Sequence, residues 1–317
     1  MDLLERVRAT GLLPAAEPVV VLLSGGRDSV CLLDVAVRLA GPEAISALHV
    51  NYGLRDAAGA DEAFCRALCE QLGVGLDVET ARRPGDAGNL QAWARDVRLA
   101  AGTRLALARD GRVATGHTAS DQAETILYRL AASPGRRALL GMSARDGLLL
   151  RPLLHVTREA TAAHCAARGL SWREDASNDD QAYARNRARA GLVPALRALH
   201  PAAEHNVVRT AELLREEAAV LDEVVDTALA GRDQIAVAHL GALPPALARL
   251  VVRRLAEGAV GGLCARAPAR LHDILQLGDG ALDLGDGARA VVSAGLLRVE
   301  PTPPGRSASV ARPQPPS

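Results

Sequence analysis

The chain has 317 residues, enough for two domains that each bury a core. Acidic and basic residues balance at 37 each and aromatics make up only 2%, so any RNA contact must be a local patch and an aromatic stacking platform is excluded. All 37 basic residues are arginine, which rules out a phosphate-loop lysine, a lysine Schiff base and a lysine-bound adenylate.

Residues 1–11 are charged and no apolar run approaches membrane length, so neither a secretion signal nor a spanning helix is expected, and the expected location is cytoplasmic. Strand-like runs over 19–23, 44–50, 76–79 and 112–115 alternate with helical periodicity over 30–39, 61–72 and 90–108. Such alternation predicts right-handed crossovers and an α/β fold with a parallel sheet. Ligands of open sheets bind beyond the carboxyl ends of the strands, so segments 24–29, 49–55 and 116–124, each following a strand, should meet at one crevice. Past residue 150 the rhythm changes to helical segments over 157–167, 183–199 and 204–229, the last reading as a connector. From residue 235 two apolar helical stretches precede short runs around a Gly-Asp-Gly turn, which predicts a hairpin in a small α+β domain. Residues 301–317 carry six prolines and are expected to be disordered. The five cysteines, Cys31, Cys65, Cys69, Cys165 and Cys264, are widely spaced within apolar patterns and read as reduced core thiols rather than metal ligands.

Four segments carry chemistry. Ser24-Gly25-Gly26-Arg27-Asp28-Ser29 lies between the first strand and the first crossover helix, where glycines let backbone amides converge on an anion and the helix adds its positive end. Ser24 and Ser29 offer hydroxyls to phosphate, while Asp28 would repel a bare phosphate and points to a bridging magnesium ion. In the second segment, 115–125, Asp121 and Glu124 are three apart and share a helix face at the crevice mouth. They suit a cationic amine or a metal, or they cap the helix and complement its dipole. Third, Arg95 and Arg98 share a face and read either as a nucleotide clamp or as a solvated surface. Fourth, Arg185, Arg187, Arg189 and Arg197 occur between residues 182 and 200 without a carboxylate, as an RNA-tracking edge or a salt-bridged helix would.

Together these segments resemble the tRNA(Ile)-lysidine synthetases, within the N-type ATP pyrophosphatases. Ser24 to Ser29 matches the superfamily pattern Ser-Gly-Gly-x-Asp-Ser at every fixed position. The narrower family is indicated by the run from His49 to Arg55, by Arg95 with Arg98, by Gly116-His117 with Asp121, Gln122, Glu124 and Thr125, by Arg151-Pro152-Leu153, and by Asp175, Ser177 and Asn178 with Arg185, Asn186 and Arg189. The chain departs from the family pattern at Tyr52, Leu99, Ser120 and Ala188, where the family often has histidine, an aromatic, aspartate and a branched aliphatic. It looks like the short form, without the extra C-terminal domain of longer members.

The resemblance implies a Rossmann-like ATP pyrophosphatase catalytic domain over 1–200, a helical connector over 201–230, a small tRNA-binding domain over 231–300 and a tail over 301–317. It implies a ligase that uses ATP and Mg2+ to adenylate carbon 2 of the wobble cytidine of tRNA(Ile) with a CAU anticodon, then attaches free L-lysine. Ser24, Gly25, Gly26, Arg27, Asp28 and Ser29 would bind the nucleotide, with Asp28 also on the metal. Asp28, Arg98 and Asp121 would be catalytic, Asp121 and Glu124 would bind lysine, and Arg185, Asn186 and Arg189 would bind tRNA. His117 is a candidate to take the proton from the attacking amine. No membrane partner is implied, and a homodimer is compatible. Two alternatives stay open: a tRNA-thiolating ATP pyrophosphatase, though no Cys-x-x-Cys exists, and a non-catalytic nucleotide- or RNA-binding module.

Overall fold

The computed structural model describes residues 2–53, 58–84, 89–132, 136–174 and 187–303. Two compact units divide between Arg215 and Glu216, within the helix Ala203–Leu229.

The first unit is a sheet clothed by helices. Its strands are β1 (Val19–Leu22), β2 (Ile45–Asn51), β3 (Gly75–Thr80), β4 (Arg112–Ala114), β5 (Arg145–Asp146) and β6 (Leu149–Leu150), in the order β3-β2-β1-β4-β6-β5. All pairings are parallel except β5 on β6. Its helices are α1 (Leu3–Arg8), α2 (Arg27–Ala40), α3 (Ala58–Leu72), α4 (Leu90–Ala108), α5 (Ala119–Ala132), α6 (Arg136–Leu139) and α7 (Arg158–Ala167).

Every residue of β1 is buried because both faces of the sheet are covered. Val19, Val21 and Leu23 face a core shared with α1, α2, α3 and α7, while Val20 and Leu22 face Ala101 and Ala106 of α4. Each such burial contributes roughly 1.5–3 kcal/mol. From β1 the chain crosses to β2 on one side and reaches β4 on the other, which makes the ends of β1 and β4 a topological switch point. The segments following these two strands, 23–26 and 115–118, therefore open onto one crevice.

The second unit carries an antiparallel sheet, β7 (Gln234–Ala236), β8 (Gly280–Gly285), β9 (Ala288–Ser293) and β10 (Leu296–Pro301), in the order β7-β10-β9-β8. The expected Gly-Asp-Gly turn joins β8 and β9, with Asp286 and Gly287 at φ 55° and 78°, the paired positive values that match hairpin twist. Helices Val237–Ala242, Pro245–Val260 and Leu271–Gln276 bury their apolar stripes in the same core.

Two local features depart from the sequence reading. β5 and β6, two residues each, are too short to show a period. The segment expected as one helix over 183–199 is described from Arg187, and it opens with a π-turn, Ala188–Leu192, before the helix Val193–Leu199. Val193 N–H donates to Ala188 O, five residues back, and the next residue, Pro194, has no N–H to continue an α-ladder. No helix among the described residues is long and apolar enough to cross a membrane.

Candidate active site

The phosphate-loop segment closes on itself through its serines. Ser29 Oγ donates to Gly26 O at 2.7 Å and accepts from Ser24 N at 3.3 Å and from Ser24 Oγ at 3.1 Å, while Ser24 Oγ accepts from Gly26 N at 3.3 Å. The helix begins earlier than the periodicity suggested, at Arg27, so Asp28 and Ser29 sit in its first turn beside the amides that a helix start leaves without intrahelical partners. Gly25 holds φ at +83°, and a Cβ there would press on Phe64 and Cys65 at 3.3 and 3.4 Å. Gly116 is required for a different reason: a Cβ on it would lie 2.8 Å from Asp28 O and 3.0 Å from Ser29 N, so only glycine lets the end of β4 pass this close to the loop.

Asp121 caps the start of α5 with one oxygen and pairs with arginine through the other. Its Oδ2 accepts from Thr118 N at 2.9 Å and Thr118 Oγ1 at 2.8 Å, a capping arrangement at the start of α5. Its Oδ1 accepts from Arg158 Nη2 at 2.9 Å. Glu124, 1% exposed, accepts at Oε1 from Arg158 Nη1 at 3.0 Å and from Arg189 Nε at 2.9 Å.

Arg158 is the residue the sequence reading missed. Besides Asp121 and Glu124, its Nε lies 3.6 Å from Asp28 Oδ2, so one guanidinium touches the phosphate-loop carboxylate and both crevice carboxylates. Burial disfavours its charge, yet the three carboxylates more than offset this and raise its pKa above the usual arginine value. A signal was present: Arg158 follows the Thr157 N-cap, where a cation opposes the helix dipole and so needs a tertiary partner. Thr161 Oγ1, one turn further along α7, donates to Asp28 Oδ1. Ser120 Oγ, where the family often has aspartate, accepts the backbone N–H of Arg158 at 3.2 Å and so seats the start of α7.

Arg189 stands with the carboxylates, its Nη2 3.4 Å from Glu124 Oε2 and 3.9 Å from Asp121 Oδ1. Arg185 and Asn186 lie outside the described residues, as do Arg55, Asp175, Ser177 and Asn178. Arg98 is on α4, beyond the sheet face that α2 covers, and its Nε is buried without a hydrogen-bond partner. It acts on Tyr52, whose hydroxyl burial pushes up against the opposing influence of Arg98; that hydroxyl donates to Ala94 O at 2.8 Å. His117 Nδ1 shares a 2.8 Å hydrogen bond with Thr115 Oγ1.

The five cysteines are buried, and burial raises Cys65 to about 12 and Cys69 to about 11. Among the described residues no group of three or more His, Cys, Asp or Glu side chains could hold a metal by itself.

A family model described as a PP-loop domain matches residues 5–196. The chain is 39% identical to the tRNA(Ile)-lysidine synthase of Salinispora arenicola, covering 94% of this chain and 95% of that one. It is 41% identical to the tRNA(Ile)-lysidine synthase of Thermus thermophilus over 76% of its length, but that match spans 48% of the relative, so the chain covers about half the length of that protein. Among solved structures, the U34-tRNA thiolase NcsA from Methanococcus maripaludis superposes with a TM-score of 0.57 at 17% identity, over 67% of this chain and 78% of that one, a likeness of fold. The matched PP-loop region and the near full-length relative agree with the loop and crevice described above, and the chain belongs to the PP-loop domain family and, within it, to the tRNA(Ile)-lysidine synthases.

Proposed function

We propose that this chain uses ATP and magnesium to adenylate carbon 2 of the wobble cytidine of an isoleucine tRNA with a CAU anticodon, and then joins free L-lysine to that carbon. The observation that carries the reading is the reach of Arg158, which ties Asp28 of the phosphate loop to Asp121 and Glu124. An activated base must meet its amine before water does, which requires the two half-sites to adjoin.

In the first step the cytidine carbonyl oxygen bonds to the α-phosphorus of ATP and the bond to pyrophosphate breaks. The amides around Gly25 and Gly26 and the first turn of α2 receive the charge that accumulates on the leaving group. A single carboxylate beside a phosphate cradle fits a magnesium ion that takes its other ligands from phosphates and water. Asp28 would hold that ion, which when bound neutralises phosphate charge. Arg98 is assigned to the adenylate.

In the second step the lysine side-chain amine bonds to carbon 2, the carbon–oxygen bond breaks and AMP departs with the activated oxygen. The amine gives up a proton, for which His117 is the candidate acceptor. Asp121 and Glu124 orient lysine through its cationic groups, and Arg158 and Arg189 fix both carboxylates before it arrives. Arg185 and Asn186, with the domain over 231–300, are assigned to the tRNA. Thiolation is disfavoured because all five cysteines are buried, whereas a sulfur carrier must present a thiol to its substrate.

The test is incubation with ATP, magnesium, labelled lysine and unmodified tRNA, followed by nuclease digestion. Lysine on the wobble nucleoside is the expected product. Pyrophosphate release without lysine incorporation would refute the second half-reaction, and no release would refute both.

A further inference from the structure

The run that ends β2 opens with His49, which takes no part in either half-reaction. Alternation along the strand puts His49 and Asn51 on the face of Ile45 and Ala47, which share a core with α3. Asn51 Nδ2 donates to Glu62 Oε2 at 3.2 Å and so ties α3 to the strand end. Three residues further along α3, Cys65 Sγ lies 3.4 Å from His49 Nδ1. His49 is 5% exposed, so its ring must find partners within the protein.

One partner is Leu23 O, 2.9 Å from Nδ1. A carbonyl oxygen can only accept, so Nδ1 carries a proton whatever the charge of the ring. Burial pushes the Cys65 thiol up to about 12, so it stays protonated and turns its S–H to the same carbonyl at 3.9 Å. Leu23 is the last residue before Ser24, and its own N–H still belongs to the sheet, donating to Leu48 O at 2.9 Å. Its carbonyl is held by a side chain instead.

The peptide joining Leu23 to Ser24 is planar and trans, so its C=O and N–H point in opposite directions. Fixing Leu23 O therefore fixes the direction of Ser24 N–H, which donates to Ser29 Oγ at 3.3 Å. That hydroxyl donates onward to Gly26 O at 2.7 Å. Gly25 rests on the same support, since a Cβ there would lie 3.4 Å from Cys65 Sγ. One imidazole thus orients the first amide of the loop and, through Ser29, the carbonyl that precedes α2.

We infer that His49 is a positioning residue for the phosphate loop, holding the Leu23–Ser24 peptide so that the loop amides are set for an anion before the nucleotide arrives. It acts through Leu23 and Ser24 rather than on the phosphates. The inference rests on the reading that this loop binds the phosphates of ATP.

The test separates Nδ1 from Nε2. Asparagine places an amide N–H near the position of Nδ1 and glutamine near that of Nε2, so His49→Asn should keep the Leu23 bond and His49→Gln lose it. His49→Leu removes every donor. Calorimetric titration of the full chain with ATP and magnesium should give a Kd about 5- to 150-fold weaker in His49→Leu and His49→Gln, the effect of one buried acceptor left without its donor, and within about threefold of the parent in His49→Asn. A merely structural role would lower the thermal midpoint and the fraction of binding-competent protein but leave the Kd of the folded molecules unchanged. Folded variants that all share one Kd, parent-like or uniformly weak, overturn the inference. So does a parent-like His49→Gln beside a weakened His49→Asn, which would put the active atom at Nε2. If neither amide variant folds, His49 is a core residue and the positioning role is lost. A parent that binds no ATP refutes the reading of the loop itself, and the inference with it.

Discussion

Replacing Arg158 with glutamine withdraws the cation that three carboxylates share. Glu124, 1% exposed, keeps Arg189 but loses a charge-assisted hydrogen bond at Oε1, and Asp121 loses the 2.9 Å hydrogen bond at Oδ1 while Arg189 stays 3.9 Å away. Removing one member of a buried ion pair costs roughly 3–5 kcal/mol. Arg158 is 19% exposed and Arg189 remains, so solvent and the second arginine screen part of this, and about 2–3 kcal/mol is expected. For a unit of this size that lowers the thermal midpoint by about 4–12 °C. Arg158→Lys keeps the charge but cannot fork between two carboxylates, and should fall between the parent and glutamine. Urea unfolding followed by circular dichroism at neutral pH gives these differences directly. A glutamine variant within about 0.5 kcal/mol of the parent would mean the carboxylates do not depend on Arg158, and the argument that it seats them would be wrong.

Gly116→Ala should impair pyrophosphate release more than it lowers stability, because its Cβ would meet the Asp28 backbone at 2.8 Å and push the loop out of shape; an unchanged KM for ATP would contradict this. Asp121→Asn combined with Glu124→Gln should raise the lysine requirement far more than the ATP requirement, and titrations with equal effects on both would remove the lysine assignment. Asp34 provides a pH test: burial pushes its carboxyl up, but His164 and Arg168 outweigh burial and hold it below the usual carboxylate range. A lowered folded-state value means the stabilisation is present above the unfolded pKa of about 3.9 and is lost as pH falls through the folded value. Asp34→Asn should therefore cost about 2–4 kcal/mol at pH 7, a gap that closes below about pH 4, measured by denaturant unfolding across pH.

Local chemistry made much of this protein legible before any fold was known. The alternation of apolar runs implies a parallel sheet because parallel strands need helical crossovers, and two glycines before Arg27-Asp28-Ser29 imply an anion cradle because few other residues allow its backbone. The Gly-Asp-Gly turn could be read for the same reason, since its positive φ values are a property of the residues themselves. Asp121 and Glu124 were visible as one face of a helix.

What packs against that face was not visible. Arg158 lies 34 residues from Glu124 and 130 from Asp28, and Arg189 lies 65 from Glu124, separations across which no periodicity carries information. Only the tertiary structure puts these guanidiniums on the carboxylates, because the start of α7 is seated by Ser120 and Pro194 imposes a π-turn beside α5. The same holds for Gly116, an ordinary post-strand glycine in sequence that proves indispensable once β4 runs against the phosphate loop. The sequence by itself determined strands β1 to β4, the crossover helices between them and the β8–β9 turn, since those follow from the preferences of neighbouring residues. The tertiary structure decided which charges meet, since Coulombic pairing depends on distance in space rather than along the chain.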